Sequence, residues 1–222
     1  MHLIEHPYFG RRILERKFNI SSEIFYGDDA VPRCSWCAAT QEYINYHDDE
    51  WGFPVNDDQR LFEKICLEGF QAGLSWRTIL AKRENFRKAF KRFDFYKVSQ
   101  FTTSDVGELM QDRGIIRHVG KIEATINNAM RARELVMEKG SLAAYFWSFE
   151  PDHVAGTQLR PVSRSPMSVS MSKDLKSRGW KFVGPTTAYA FMQAMGLVND
   201  HAYGCAARDQ VTLAREKFKV PI

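Results

Sequence analysis

Residues 57–80 read DDQRLFEKICLEGFQAGLSWRTIL, the spacing of two helices joined by a glycine. Leu61, Ile65 and Glu68 fall at i, i+4 and i+7 on one stripe, with Phe62, Cys66 and Gly69 beside it, and Asp57 or Asp58 can cap the start. Gly73 is a natural stop. Ser75 can then cap a second helix with Trp76, Ile79, Leu80 and Phe90 facing inward and Lys82, Arg83, Arg87 and Lys88 facing out. One residue breaks the pattern. Glu68 shares the stripe of Leu61 and Ile65, so either its carboxylate lies at the stripe's edge and reaches solvent, or it is buried and needs partners.

Outward from this hairpin the pattern stays helical. Ser104 opens a short helix carrying Val106, Leu109 and Met110 and ended by Gly114; a longer one from about His118 to Lys139 buries Ile122, Ile126, Ala129 and Val136. Residues 142–149 are dense in aromatics. Residues 150–170 hold three prolines and little periodicity, and read as a long surface loop. Ser170 or Ser172 then caps a helix ended by Gly179, and Gly184-Pro185 starts another that runs to about Met195 and stops at Gly196. Residues 1–31 show no clean period beyond a short helix near Arg11 to Arg16. No segment alternates with β-branched residues and no repeat is present, so the fold class is all-α.

At 222 residues with 44% apolar side chains, the chain can bury a sizeable core. A balance of 31 basic to 27 acidic groups is mildly basic, which permits a nucleic-acid partner without demanding one. No run approaches 18 apolar residues, and His2, Glu5 and His6 interrupt the apolar segment a signal peptide would need. The expectation is a cytoplasmic protein with no membrane partner. Four cysteines in a chain this long suggest a reducing compartment, with Cys66 in the core.

The two ends of the chain carry potential metal ligands. Cys34, His47, His201 and Cys205 would make a closed set of two thiols and two imidazoles, which is usually a structural zinc site because a catalytic zinc keeps one position open. Such a site is a clasp joining the chain ends. Cys37 forms a C-x2-C pair with Cys34 and rivals His47 as a ligand. Around Glu68, the rings of Trp36, Tyr43, Tyr46, Trp51 and Trp76 crowd the neighbouring segments, though ordinary packing explains some of them. An acid in an aromatic box suits something flat and positively charged. The turn at residues 181–188 leads into a helix start able to offer backbone N–H groups to one phosphate. Residues 114–118, with Lys121 close by, add basic groups that could grip a backbone.

Several strings are more specific. Arg33-Cys34, Tyr46-His47-Asp48-Asp49-Glu50-Trp51-Gly52, Ile65-Cys66-Leu67-Glu68-Gly69, Gln71-Ala72-Gly73-Leu74-Ser75-Trp76, Gly114-Ile115-Ile116-Arg117-His118 and Phe191-Met192-Gln193-Ala194 through Gly196-Leu197-Val198-Asn199-Asp200-His201 closely resemble the DNA-3-methyladenine glycosylase I family, over roughly residues 33–205. The resemblance implies a helix-hairpin-helix DNA repair enzyme with structural zinc on Cys34, His47, His201 and Cys205, leaving Cys37 a bystander, and with no organic cofactor. It assigns Glu68 as the hydrogen-bonding acid and, with Tyr46, the catalytic pair. Tyr43, Trp76 and Trp36 bind the base, Gly73 and Leu74 enter the duplex, and Val183, Gly184 and Thr186 hold phosphate.

Two departures from the wider helix-hairpin-helix superfamily bear on mechanism. Phe182 replaces the hairpin's usual first glycine, and Asn199 stands where other members carry a catalytic aspartate. With no lysine at the nucleophile position of lyase-type relatives, the expected enzyme is monofunctional. It flips 3-methyladenine from double-stranded DNA and hydrolyses its N-glycosidic bond, as a monomer. Its expected limits are an extension at 1–32, a glycosylase domain at 33–205 and a tail at 206–222. A zinc hydrolase would need an open ligand position. A non-catalytic zinc-stapled DNA-damage reader would bind and release no base.

Overall fold

The computed structural model describes residues 23–151 and 162–221, so the helix expected near Arg11 to Arg16 lies outside the described residues. A short hairpin comes first, β1 (Ile24–Tyr26) antiparallel to β2 (Pro32–Cys34). Helices follow: α1 (Gln41–Asp49), α2 (Asp58–Gln71), α3 (Trp76–Leu80), α4 (Arg83–Ala89), α5 (Phe95–Val98), α6 (Thr103–Gln111), α7 (Val119–Lys139), α8 (Leu142–Trp147), α9 (Pro166–Ser177), α10 (Pro185–Ala194) and α11 (Ala206–Lys217). The architecture is mostly helical, with the small hairpin as an exception to the all-α expectation. Strands of three residues are too short to show alternation in sequence.

Polar caps start these helices. Asp57 accepts from the Arg60 amide at 2.8 Å and Ser75 from the Thr78 amide at 3.2 Å, as their positions suggested. Three expectations shift. The second helix breaks after Leu80 into α3 and α4. Thr102, in a capping box with Asp105, starts α6 in place of Ser104. Ser165 starts α9 in place of Ser170 or Ser172, with Pro166 in its first turn, so the expected loop gives way to helix there. A proline at that position loses no hydrogen bond, because the first amides of a helix have no partner within it.

Helix α2 is the hub: residues 61–70 are all buried, and it packs against α3, α7, α8 and α10. Phe62, Phe70, Phe86, Phe90, Phe93, Phe146 and Phe191 fill the space around it, each contributing on the order of 2 kcal/mol of burial. Arg83 and Arg87, expected to face out, are half-buried, with 2.7 Å ion pairs to Glu50 and Glu63. At Gly196 (φ +81°) an added Cβ would lie 2.6 Å from Pro54 Cα, so glycine lets the chain leave α10 close against residues 53–54.

Two stretches outside 33–205 pack on the same body. Ile24 pairs with Cys34 across the hairpin, while α11 buries Ala207 and Val211, and the Phe218 ring lies 4.6 Å from that of Trp147. Among the described residues, no helix is long and apolar enough to cross a membrane.

Candidate active site and metal centre

Tyr46 and His47 are consecutive on α1, about 100° apart around the helix, and serve two different buried sites. Tyr46 points to an aromatic box with Glu68 of α2 and Trp76 of α3. The three are 4%, 5% and 9% exposed, and the Tyr46 and Trp76 ring centroids are 5.4 Å apart. The buried alternative for Glu68 therefore holds, and its partner is Lys64, one turn earlier on α2. The Lys64 ammonium lies 2.7 Å from Glu68 Oε1, donates to the Tyr46 hydroxyl at 2.8 Å and sits 3.2 Å from the centroid of the Trp76 ring. Burial pushes the Lys64 pKa down, and the Glu68 charge partly restores it. Burial also raises the Tyr46 phenol well above its ordinary range, with Glu68 adding to the effect.

Trp36 and Tyr43 join the box through neighbouring rings: Trp36 lies 5.0 Å from Tyr43 and 6.5 Å from Tyr46, in edge-on geometry. The Glu50–Arg83 ion pair flanks it, with the guanidinium 6.0 Å from the Tyr46 ring. The indole N–H of Trp76 is buried without a hydrogen-bond partner. Sequence reasoning missed Lys64 and Arg83 as parts of this site. The signal for Lys64 was its i, i+4 spacing to Glu68.

Beyond α2 the chain turns at Gly73 (φ +82°) and leaves Leu74 41% exposed, with Ser75 separating it from Trp76. The α9–α10 hairpin places Phe182 at φ +56° with its ring partly exposed. Asn128 clamps this turn through the Lys181 amide at 2.8 Å and carbonyl at 2.9 Å, and Ser172 donates to the Val183 carbonyl at 2.6 Å. The Val183 side chain is buried, so only its backbone could meet a ligand. Gly184 gives α10 no side-chain cap, and Thr186 is exposed in its first turn. Phe182 abuts α2 next to Glu68, since a Cβ added at Gly69 would lie 3.3 Å from its own Cβ. Lys121 is not free to grip a ligand. It donates to the Phe70 and Ala72 carbonyls at 2.8 and 2.7 Å, satisfying the end of α2.

His47 faces the other way, into a cluster with Cys34, His201 and Cys205, all buried and with ligand atoms within 4.8 Å of one another. His47 Nε2 and His201 Nδ1 are 3.2 Å apart, and the sulfur–nitrogen separations are 3.4 Å (Cys205–His47), 3.6 Å (Cys205–His201) and 3.7 Å (Cys34–His201). A tetrahedron with zinc–sulfur bonds of about 2.3 Å and zinc–nitrogen bonds of about 2.0 Å has nitrogen–nitrogen edges of roughly 3.3 Å and sulfur–nitrogen edges of roughly 3.5 Å. The donor set fits a tetrahedral metal. The outer nitrogens are held as ligating imidazoles require, His47 Nδ1 by Asp48 at 2.8 Å and His201 Nε2 by the Trp51 carbonyl at 2.9 Å. Arg33 in turn fixes Asp48 at 2.8 Å.

Hydrogen bonds from Cys34 and the two imidazoles hold the Cys205 thiol well below its ordinary range, the direction that metal ligation needs. Cys37 lies outside the set and donates to the Cys34 carbonyl at 3.1 Å. Asn199, at the position linked to a catalytic aspartate, is spent on structure. Its amide donates to the Arg208 carbonyl at 2.9 Å and to Thr212 Oγ1 at 3.0 Å, and its oxygen accepts from the His201 amide at 3.3 Å.

A family model described as methyladenine glycosylase matches residues 36–209. The chain is 50% identical over 179 residues to DNA-3-methyladenine glycosylase 1 of Escherichia coli (strain K12), covering 79% of this chain and 96% of that one. It is 48% identical over 182 residues to DNA-3-methyladenine glycosylase of Haemophilus influenzae, covering 79% and 97%. Among solved structures, a variant of 3-methyladenine DNA glycosylase I in complex with 3-methyladenine superposes with a TM-score of 0.74 at 35% identity, over 79% of this chain and 97% of that one.

Proposed function

The chain belongs to the methyladenine glycosylase family, and on that premise we propose that the box of Tyr46, Glu68 and Trp76 is where a flipped 3-methyladenine is held and cut from DNA. The protein is a base-excision glycosylase for 3-methyladenine. The observation that carries the assignment of the pocket is the Lys64 contact: this box already holds a positive charge on an aromatic face beside a carboxylate. Methylation at N3 gives the attached base that same charge. Cation–π contact and the Glu68 charge favour it over neutral adenine, the first by roughly 0.5 to 2 kcal/mol.

Flipping exposes the reacting carbon, which is inaccessible inside the stack. The glycosidic C1′–N9 bond then breaks with its electron pair passing to the purine, which leaves neutral. Because the substrate activates its own leaving group, no strong acid is needed, which agrees with an Asn199 committed to hydrogen bonds. Glu68 accepts from the adenine edge, and Trp76 Nε1 offers a donor that lacks a partner. The DNA's phosphates help to stabilise the positive sugar, and water completes hydrolysis. Leu74 fills the gap left in the duplex, and the uncapped start of α10 at Val183, Gly184 and Thr186 holds one phosphate. Tyr43 and Trp36 brace the Tyr46 wall.

Cys34, His47, His201 and Cys205 would hold zinc, whose contribution is a crosslink between the chain ends. The enzyme acts on double-stranded DNA as a monomer, in the reducing cytoplasm. Its body centres on residues 33–205. The test is base release from duplex DNA treated with a methylating agent, with free 3-methyladenine measured by chromatography and strand integrity by electrophoresis. Release with intact strands is expected. Binding without release would make the protein a damage reader, and strand cleavage would refute the monofunctional mechanism.

A further inference from the structure

We infer that Lys64 is a resident occupant of the base site: its ammonium holds the Trp76 face in the free enzyme, withdraws when a base enters, and returns once cleavage has left that base neutral. The inference rests on the box being the base pocket. Its starting point is a steric conflict. A purine sandwiched between two rings needs roughly 7 Å, twice a stacking contact of about 3.5 Å. Tyr46 and Trp76 stand 5.4 Å apart, and the Lys64 ammonium lies 3.2 Å from the Trp76 centroid. In this conformation one face of Trp76, Oε1 of Glu68 and the Tyr46 hydroxyl all serve Lys64.

A base and this ammonium cannot use the Trp76 face together. The contest between them turns on charge. Before cleavage the attached base is a cation and can replace everything Lys64 gives Glu68, so the carboxylate is never left buried alone. Bond cleavage sends the C1′–N9 electron pair into the ring and cancels the charge fixed by N3 methylation. Water supplies hydroxide to C1′ and releases a proton. The departed base is now neutral and no longer compensates Glu68, whereas Lys64 still does. Its flexible four-carbon stem lets it return from the next turn of α2 without moving the helix. Lys64 thus weakens the hold on product at the step where holding it has no further use.

Removing the competitor should strengthen binding of free base, the opposite of what loss of an ordinary structural contact does. With the full-length protein, the affinity of free 3-methyladenine is measured from quenching of tryptophan fluorescence, and its potency as a competitive inhibitor from excision assays. Lys64→Met keeps the side-chain volume and removes the charge. We expect it to tighten binding by roughly tenfold, the scale of one desolvated cation–π contact. Lys64→Arg keeps a cation and should stay near wild type.

Unchanged or weaker binding by a folded Lys64→Met protein overturns the inference, as does an Arg variant that binds as tightly as the Met variant. Should Lys64→Met not fold, wild type decides. Acetylation of the Lys64 amine, read by mass spectrometry, should rise when 3-methyladenine saturates the protein, and equal or lower labelling overturns the inference. The fluorescence and labelling readouts are separate from the assigned activity. A chain that releases 3-methyladenine but shows neither effect keeps the function and loses this device.

Discussion

The metal cluster and the aromatic box are built from adjacent residues of α1, yet they handle buried charge in opposite ways. The cluster gathers Cys34, His47, His201 and Cys205, with the outer imidazole nitrogens already bonded, and its donors converge on a point that could hold a cation. The box brings its own cation, with Lys64 paired to Glu68. A site of donors alone has no cation of its own, so any metal bound there would contribute folding free energy. A self-neutralised box folds without ligand, and a ligand entering it would have to compete with Lys64. One arrangement suits a permanent clasp and the other a pocket that fills and empties.

The largest expected effect tests the clasp. Cys205→Ala removes one candidate ligand from a site that would join His201 and Cys205, 154 and 158 positions beyond His47, to the start of the body, and should cost roughly 3 kcal/mol or more of stability, seen as a lowered thermal midpoint. Excision per folded molecule should survive. Chelation that abolished excision while leaving the melt unchanged would break the comparison, because the cluster would then be doing chemistry. Glu68→Gln is the matching test of the box. Excision should fall by about 10²-fold or more, the usual scale for losing one charged contact to the transition state. The melt should also fall, since the buried Lys64 loses its counter-ion. Full activity in a folded Glu68→Gln protein would remove that carboxylate from the mechanism.

What could be read from sequence divides along the same line. Caps at Asp57 and Ser75 and the stripe of α2 that carries Glu68 were legible because each is a local rule of helix spacing, whereas the choice between a solvent-facing and a buried Glu68 needed the partners that only the fold supplies. Helix α1 was not. Its buried residues are Tyr46 and His47, so its face toward the body carries a ring and a metal-type ligand in place of an aliphatic stripe. The start of α9 had its signal in Ser165, Pro166 and Ser168, but Pro151 and Pro161 ahead of it made the stretch read as loop. Lys64 went unnoticed because a lysine one turn from a glutamate is ordinarily a solvated pair, and only the arrival of Tyr46 and Trp76 from other segments encloses it. Choosing His47 over Cys37 likewise needed either a family resemblance or three dimensions, since the C-x2-C spacing favours Cys37.

Smaller effects sharpen the comparison. Asp48→Asn leaves all four ligands but replaces the carboxylate on His47 Nδ1 and weakens the Arg33 contact. Metal affinity, measured by chelator competition, should drop about 10-fold to 100-fold with excision nearly intact. An unchanged affinity would mean that the imidazole needs no orienting charge. Leu74→Ala should change least. Leu74 is 41% exposed at a tip where a Cβ added to the neighbouring Gly73 would meet nothing within 4 Å, so the melt should move by about 0.5 kcal/mol or less. Base release from duplex DNA should nonetheless fall by roughly tenfold or less, because an exposed apolar side chain beside the pocket is the group available to fill the space of a flipped base. The same variant on a single-stranded substrate, with no stack to fill, should match wild type. An equal loss on both substrates would place Leu74 in folding or in the pocket wall, and the duplex would then need another wedge.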